Sequence, residues 1–143
     1  MATTYNASTN IYAPGLRSVG SYQVSGWPYT TGSAVADTAR YKVSFPYVTK
    51  SITIIASSSA EEADMAGHLR VHFADNIDPG VYTGRHYITL DTDKDSITFD
   101  VKCKEIYLSA IGDDVGFELY ASLTGIPTSS MFHLTGAGVT ETV

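Results

Sequence analysis

The clearest pattern in the chain is an alternation of apolar and polar residues between Arg85 and Ala110. An extended strand places every second side chain on one face, whereas a helix would scatter these apolar groups around its cylinder. The predicted buried face is formed by His86, Ile88, Leu90, Ile97, Phe99, Val101, Ile106, Leu108 and Ala110. We therefore expect a strand, an acidic turn at Asp91–Asp95 and two further strands, arranged as a meander in one antiparallel sheet with one wet face.

The same period of two recurs on both sides of this stretch. It predicts strands over 40–45, 52–56 and 69–73, and the first ends at Pro46 because proline cannot donate to a ladder. The longest clean alternation runs from Val115 to Leu123. About eight short strands separated by turn signals predict an all-β fold, an antiparallel β-sandwich of jelly-roll-like form.

Residues 1–39 differ in composition from residues 40–143, which we expect to form the β-sandwich domain. The first segment is rich in Ala, Ser, Thr, Gly and Tyr and has few charges. We expect an extended N-terminal arm with edge strands, for which Ser21–Ser25 and Trp27–Thr31 are the candidates.

Two interpretations of this arm remain open: a loose tail, or a segment that lies on another subunit. The aromatic content favours the second, because Tyr and Trp are enriched in protein interfaces. The residues concerned are Tyr5, Tyr12, Tyr22, Trp27 and Tyr29.

Composition and charge restrict the partners. The 143 residues fit one domain, and the net charge of -6, from 9 basic and 15 acidic residues, opposes binding to nucleic acid or to an anionic membrane. Cys103 is the single cysteine, so no intrachain disulfide can form. A secretory signal and an apolar run of membrane-spanning length are not evident, which predicts synthesis in a cytoplasm.

The carboxylates Asp91, Asp93 and Asp95 have the spacing of a calcium loop. However, Ser96 and Lys102 stand where that loop requires Gly and Glu. A solvated hairpin turn is the favoured interpretation, with cation binding left open, and Asp113-Asp114 is interpreted in the same way.

The histidines and the cysteine do not form a recognisable reactive constellation. His68 and His72 would lie about 13 Å apart on one strand, too far to share a zinc ion. We interpret them, with His86 and His133, as surface or interface residues, and Cys103 as a small half-buried residue. Motifs for nucleophiles, metals, phosphates or dinucleotides are absent from the sequence, so we expect no enzyme activity, catalytic residue, metal or cofactor. Glu105 and Glu118 cannot be placed relative to each other as a glycosidase pair, and a lectin-like site stays open.

Five long segments together carry a family resemblance: Ser21–Ser33, Lys42–Ile54, Leu69–Phe73, His86–Ser109 and Phe117–Gly136. They resemble small virion structural proteins of tailed bacteriophages, especially marine ones. The resemblance covers most of residues 21–136 and contains no chemical motif.

The resemblance implies a non-enzymatic head decoration, or cement, protein. Such a protein would bind the major capsid protein on the outer capsid surface and form a homo-oligomer such as a trimer. The expected contact residues are Tyr5, Tyr12, Tyr22, Trp27, Tyr29, Met131 and Phe132.

Two alternatives accompany this expectation. The first is a tail, neck or fibre component whose loops at 56–67 and 75–84 bind a receptor or carbohydrate. The second is a carbohydrate-binding or hydrolytic β-sandwich.

Overall fold

A computed structural model of the chain describes residues 15–58, 67–74, 86–91 and 95–132. They form a short helix, eight strands and a final 3-10 turn. The elements are α1 (Gly20–Gln23), β1 (Trp27–Val35), β2 (Arg40–Ser44), β3 (Tyr47–Ser58), β4 (His68–His72), β5 (Ile88–Asp91), β6 (Ser96–Phe99), β7 (Glu105–Ile111), β8 (Val115–Pro127) and the 3-10 turn Thr128–Ser130.

The strands form two antiparallel sheets, which confirms the all-β prediction. Sheet I has the order β1-β8-β3-β6, and sheet II has the order β2-β7-β4-β5. The pairs β1–β8, β2–β7, β3–β6 and β4–β5 are nested, as if a long two-stranded ribbon had been rolled up. The contacts β3–β8 and β4–β7 then complete each sheet. This is the eight-stranded jelly-roll arrangement of the β-sandwich.

The core lies between the inner faces of the two sheets. Alternation along β3 turns Ile52, Ile54 and Ala56 inward, and each is completely buried. Along β8 the buried inner side chains are Val115, Phe117, Leu119, Ala121 and Leu123. Sheet II contributes Val43, Leu69, Val71, Leu90, Ile106, Leu108 and Ala110. Burial of each large apolar side chain contributes about 1.5–3 kcal/mol, so this layer is the main source of stability.

The predicted meander between Arg85 and Ala110 is wrong in its pairing, although its strands exist. β5 belongs to sheet II, β6 crosses to sheet I, and β7 returns to sheet II. The period of two identifies which face of a strand is buried. Because the inner faces of both sheets have that same pattern, the period cannot identify the sheet.

The single wet face expected for this stretch is also wrong in β7. Ile106, Leu108 and Ala110 face the core, but Tyr107 and Ser109 on the opposite side are buried too. β7 is an inner strand of sheet II, between β2 and β4, and its outer face is covered at these positions.

The segment before β1 forms a helical turn where Ser21–Ser25 was predicted as a strand. Local hydrogen bonds explain the difference, because the Gly15 amide donates to Ser21 Oγ (3.0 Å) and Tyr22 Oη donates to the Leu16 carbonyl (2.7 Å). In the described part of the chain no helix has the length and apolarity needed to cross a membrane.

Two buried threonines form side-chain to backbone hydrogen bonds, one where β3 begins and one where β8 ends. The β3–β8 register shifts on both sides of Thr49, so regular pairing fails there. Thr49 Oγ1 donates to the Val101 carbonyl (2.8 Å) and accepts from the Cys103 amide (3.0 Å). Thr124 Oγ1 likewise donates to the Val48 carbonyl (2.6 Å). Side-chain oxygens thus satisfy buried backbone groups of β3 and of the segment between β6 and β7.

Candidate interaction surface

Large apolar side chains are exposed at the end of the sandwich where β1 begins and β8 ends. We define the end surface as Val19, Val24, Trp27 and Phe132, with exposed fractions of 67%, 41%, 56% and 58%. Val19 and Val24 flank α1, Trp27 opens β1, and Phe132 follows the 3-10 turn after β8. Val24 and Trp27 line one groove, and exposed apolar side chains at a groove are typical of a binding surface.

The position of Trp27 is fixed by the strands beneath it. Trp27 pairs with Leu123 of β8, and its ring meets the edge of Tyr47 with centroids 5.2 Å apart. Just before Trp27, Gly26 allows the chain to approach β8 closely, because a Cβ atom on Gly26 would lie 1.8 Å from Ser122 Oγ. A groove of about 180 Å³ beside Trp27 is lined by Gly20, Ser21, Val24, Ser25, Leu123, Thr124 and Gly125.

Two lysines attach the segment that carries Val19 and Val24 to the sandwich. Lys50 Nζ donates to the Val24 carbonyl (2.6 Å), and Lys102 Nζ donates to the Leu16 carbonyl (3.1 Å). Lys102 Nζ also lies 5.1 Å from the centre of the Tyr22 ring, and partial burial raises the pKa of that phenol. The end surface is therefore held by side-chain contacts to β3 and to the segment after β6.

The residues predicted as contacts are placed differently from one another. Trp27 and Phe132 are exposed on the end surface, whereas Tyr22 is half-buried beside it. Tyr29 turns inward and meets the edge of Phe45 at 5.4 Å, and Met131 packs in the core with 7% exposure. Tyr5 and Tyr12 lie outside the described residues.

The sequence interpretation missed Val19 and Val24. A strand over Ser21–Ser25 gives no reason to expect exposed residues on both sides of a helical turn. Isolated valines in a Ser/Gly-rich segment give no signal without that turn.

His72 is completely buried, which overturns its interpretation as a surface histidine. Its Nδ1 lies 2.8 Å from the Ala74 carbonyl, and its Nε2 lies 2.9 Å from Ser109 Oγ. The carbonyl can only accept, so Nδ1 donates to it, and in the neutral ring Nε2 then accepts from Ser109. The ring also stacks on Tyr107, with centroids 5.9 Å apart. Alternation in β4 concealed this burial, since His72 is in phase with exposed His68.

Cys103 is buried, with 3% exposure, rather than half-buried as predicted. Burial raises the pKa of its thiol to about 11, although a hydrogen bond with Thr49 partly opposes the increase. A thiol with this pKa stays protonated at neutral pH, and the thiolate is the nucleophilic form. Cys103 therefore has the environment of a structural residue.

The two glutamates considered as a glycosidase pair lie on opposite outer faces of the sandwich. Glu118 is exposed on β8 of sheet I, and Glu105 is on β7 of sheet II, 3.0 Å from Lys42. Burial opposes ionisation of Glu105, but hydrogen bonds from Lys42 and Tyr107 and the nearby lysine charges outweigh it and lower the pKa. The hydrophobic core separates the two carboxylates, so they cannot act on one bond.

The described carboxylates of the acidic turn contact a backbone amide and a histidine. Asp95 Oδ2 accepts from the Asp91 amide (3.0 Å), and Asp91 also lies 3.2 Å from His68 Nδ1. Among the described residues there is no group of three or more His, Cys, Asp or Glu able to hold a metal ion. Asp93 and His133 lie outside these residues.

The chain matches no protein-family model and no curated protein sequence.

Proposed function

We propose that this chain is a non-enzymatic virion structural protein of a tailed bacteriophage, a decoration protein that binds the major capsid protein on the outer shell. The end surface carries the proposal, because it exposes Trp27 at the start of β1 and Phe132 after the 3-10 turn that follows β8. Large aromatic side chains in such positions are common anchors of protein interfaces. The resemblance of residues 21–136 supplies the capsid as the partner.

The environments of the reactive residue types support an adhesive rather than a catalytic role. Ser109, His72 and Cys103 are buried, and each makes hydrogen bonds that join neighbouring strands or loops. Such side chains stabilise the sandwich. A catalytic role would require that a substrate could reach them, and they are buried.

The charge of the chain suits the outside of a shell. A net charge of -6 disfavours contact with packaged DNA, which attracts basic surfaces. The end surface itself is apolar, so its contact with a partner would depend on area rather than on ion pairs.

A second candidate function is saccharide binding, in a tail component or an independent lectin-like module. The observation that favours it is an open groove of about 530 Å³ on the outer face of sheet I. Tyr120 is 45% exposed in this groove, beside Thr53, whose hydroxyl lies 3.0 Å from that of Thr98. An aromatic face next to hydroxyl groups can stack on a sugar ring and hydrogen-bond its edges.

Quantitative mass spectrometry of purified virions tests the decoration role. Hundreds of copies per particle are expected for a shell protein, whereas a dozen or fewer would place the protein in the tail and overturn the proposal.

Rebinding of purified variants to capsids stripped of the protein tests the surface. Trp27→Ser with Phe132→Ser should remain folded and lose occupancy, because the apolar anchors are removed. Tyr120→Ser is the matched control, since it removes an exposed aromatic side chain from a different face. Equal occupancy for the double variant and the control would contradict the assignment of the end surface.

A glycan array tests the second candidate function. Binding that is abolished by Tyr120→Ser and retained by the Trp27→Ser, Phe132→Ser variant would favour saccharide recognition over capsid binding.

A further inference from the structure

β1 is an edge strand that carries no charged side chain and, among the described residues, has no strand on its outer side. It forms one edge of sheet I, and among the described residues it pairs with β8 alone. It has nine residues, and Trp27, Pro28, Thr30, Gly32 and Ala34 are exposed. Long edge strands are usually protected by charges, bulges or a cover, because their unpaired backbone groups attract other strands.

Charge distinguishes β1 from the other sheet edges. β2 carries Arg40 and Lys42, β5 ends at Asp91, and the four residues of β6 lie between Asp95 and Asp100. β1 carries no charged side chain. In a chain with a net charge of -6, this edge allows two copies to approach without placing like charges in contact.

Pro28 indicates which backbone groups are available. Pro28 pairs with Ser122 although it has no N–H, so this pair must be a non-hydrogen-bonded one, with the Pro28 backbone directed away from β8. Thr30, Gly32 and Ala34 are in phase with Pro28 and direct their N–H and C=O groups outward as well. The strand therefore presents a ladder of donors and acceptors at the edge where the described part of the chain places no neighbouring strand.

We propose that β1 pairs antiparallel with β1 of a second copy of this chain, about a two-fold axis at Gly32. In this register Thr30 lies opposite Ala34 of the other copy, and Gly32 lies opposite itself. Each outward N–H then meets a carbonyl, and the two four-stranded sheets become one continuous sheet.

The charged side chains nearest to β1 do not oppose the pairing of two β1 strands. Glu118 is opposite Gly32 on β8, one strand inside the edge. Across the axis the two Glu118 residues would be separated by three strand spacings, about 14 Å, which exceeds the Debye length at physiological salt. The Asp37 carboxylate, beyond the end of β1, already accepts from the Gly112 amide (2.9 Å).

This pairing closes as a dimer, unlike the trimer expected from the resemblance. It involves no capsid component, so its test and the test of the proposed function can fail independently.

The experiment is sedimentation equilibrium of the full chain over a wide concentration range, with amide hydrogen exchange at low and high concentration. Thr30→Pro combined with Ala34→Pro should weaken association at least about tenfold, because it removes outward donors without removing a bond to β8. Thr30→Val combined with Ala34→Ser changes the same side chains but keeps both donors, and should associate like the wild type.

In the wild type, the amides of Thr30, Gly32 and Ala34 should become protected as concentration rises. A wild-type chain that is monomeric throughout would overturn the proposal, as would association that both variants share. Protection of these amides in the monomer would also overturn it, because the chain would then cover its own edge. If the proline variant fails to fold, the concentration dependence of wild-type exchange decides.

Discussion

At the scale of single residues, this protein places polar groups in buried positions and satisfies them locally. His72 and Ser109 join β4 to β7 on the outer side of sheet II, and Tyr107 stacks on the imidazole. A buried polar group that loses its partner retains the full cost of desolvation. These residues therefore contribute to stability through their pairing.

Ser109→Ala should lower the free energy of unfolding by about 1–3 kcal/mol, because it leaves His72 Nε2 without its hydroxyl donor in a buried site. Urea denaturation measures the change. Ser44→Ala is the control, since Ser44 is exposed at the end of β2 and its loss should change stability by less than about 0.5 kcal/mol. Equal effects of the two substitutions would refute the structural role of the pair.

The raised pKa of Cys103 predicts a pH dependence of stability. The unfolded thiol loses its proton near 9.0, whereas the folded thiol keeps it until pH is about 11. Between these pH values the folded state holds a thiol proton that the unfolded state has lost. The contribution of the buried thiol to the free energy of unfolding is therefore full below pH 9.0 and is lost as pH rises through about 11. The loss amounts to about 2–3 kcal/mol.

Wild type and Cys103→Ala should be compared by denaturation at several pH values across this window. Titration of tyrosines and lysines is common to both proteins and cancels in the difference. Parallel pH profiles would show that the thiol does not contribute in this way.

At the scale of secondary structure elements, β3 and β8 are the two inner strands of sheet I. Threonine hydroxyls form hydrogen bonds to backbone groups at their irregular ends. Beside the register shift between β3 and β8, Thr49 Oγ1 donates to the Val101 carbonyl and accepts from the Cys103 amide, which lie in the segment between β6 and β7. A hydroxyl in this position is part of the backbone hydrogen-bond network rather than a surface decoration.

Thr49→Val should destabilise the fold by about 1–3 kcal/mol, since the shape is kept while two backbone groups lose a buried partner. Thr53→Val on the same strand is the control, because Thr53 is more accessible and its hydroxyl lies 3.0 Å from the hydroxyl of Thr98, a side chain and not a backbone group. Thermal unfolding of both variants measures the difference, and a larger loss for Thr53→Val would be contrary to expectation.

The elements show what sequence patterns can and cannot determine. Alternation in Val115–Leu123 and in 69–73 predicted β8 and β4, because a period of two directly reflects a strand with one buried face. It could not assign β5 and β6 to different sheets, because that assignment depends on pairing between distant segments. For the end surface, the aromatic content of the N-terminal segment indicated Trp27, while the burial of Met131 depends on tertiary packing.

At the scale of the whole molecule, the surfaces proposed for association carry no charged side chains, although the chain is acidic. The net charge is -6, yet the end surface and β1 are uncharged. Association through either surface should therefore depend little on ionic strength, since salt screens charges and leaves apolar contact intact.

The proposed binding of the wild type to capsids should persist when salt is raised well above physiological concentration. Co-sedimentation with capsids measures it, and the Trp27→Ser, Phe132→Ser variant provides the unbound reference. Release of the wild type by moderate salt would indicate an ionic contact elsewhere on the chain.

The nested ribbon has a practical consequence for protein engineering. β1 begins opposite the last part of β8, with Trp27 beside Leu123, so the segments that enter and leave the sandwich do so next to each other. A peptide or enzyme fused before β1 and another fused after β8 would emerge on the same side. The scaffold is thus suited to bringing two different cargoes together at one pole.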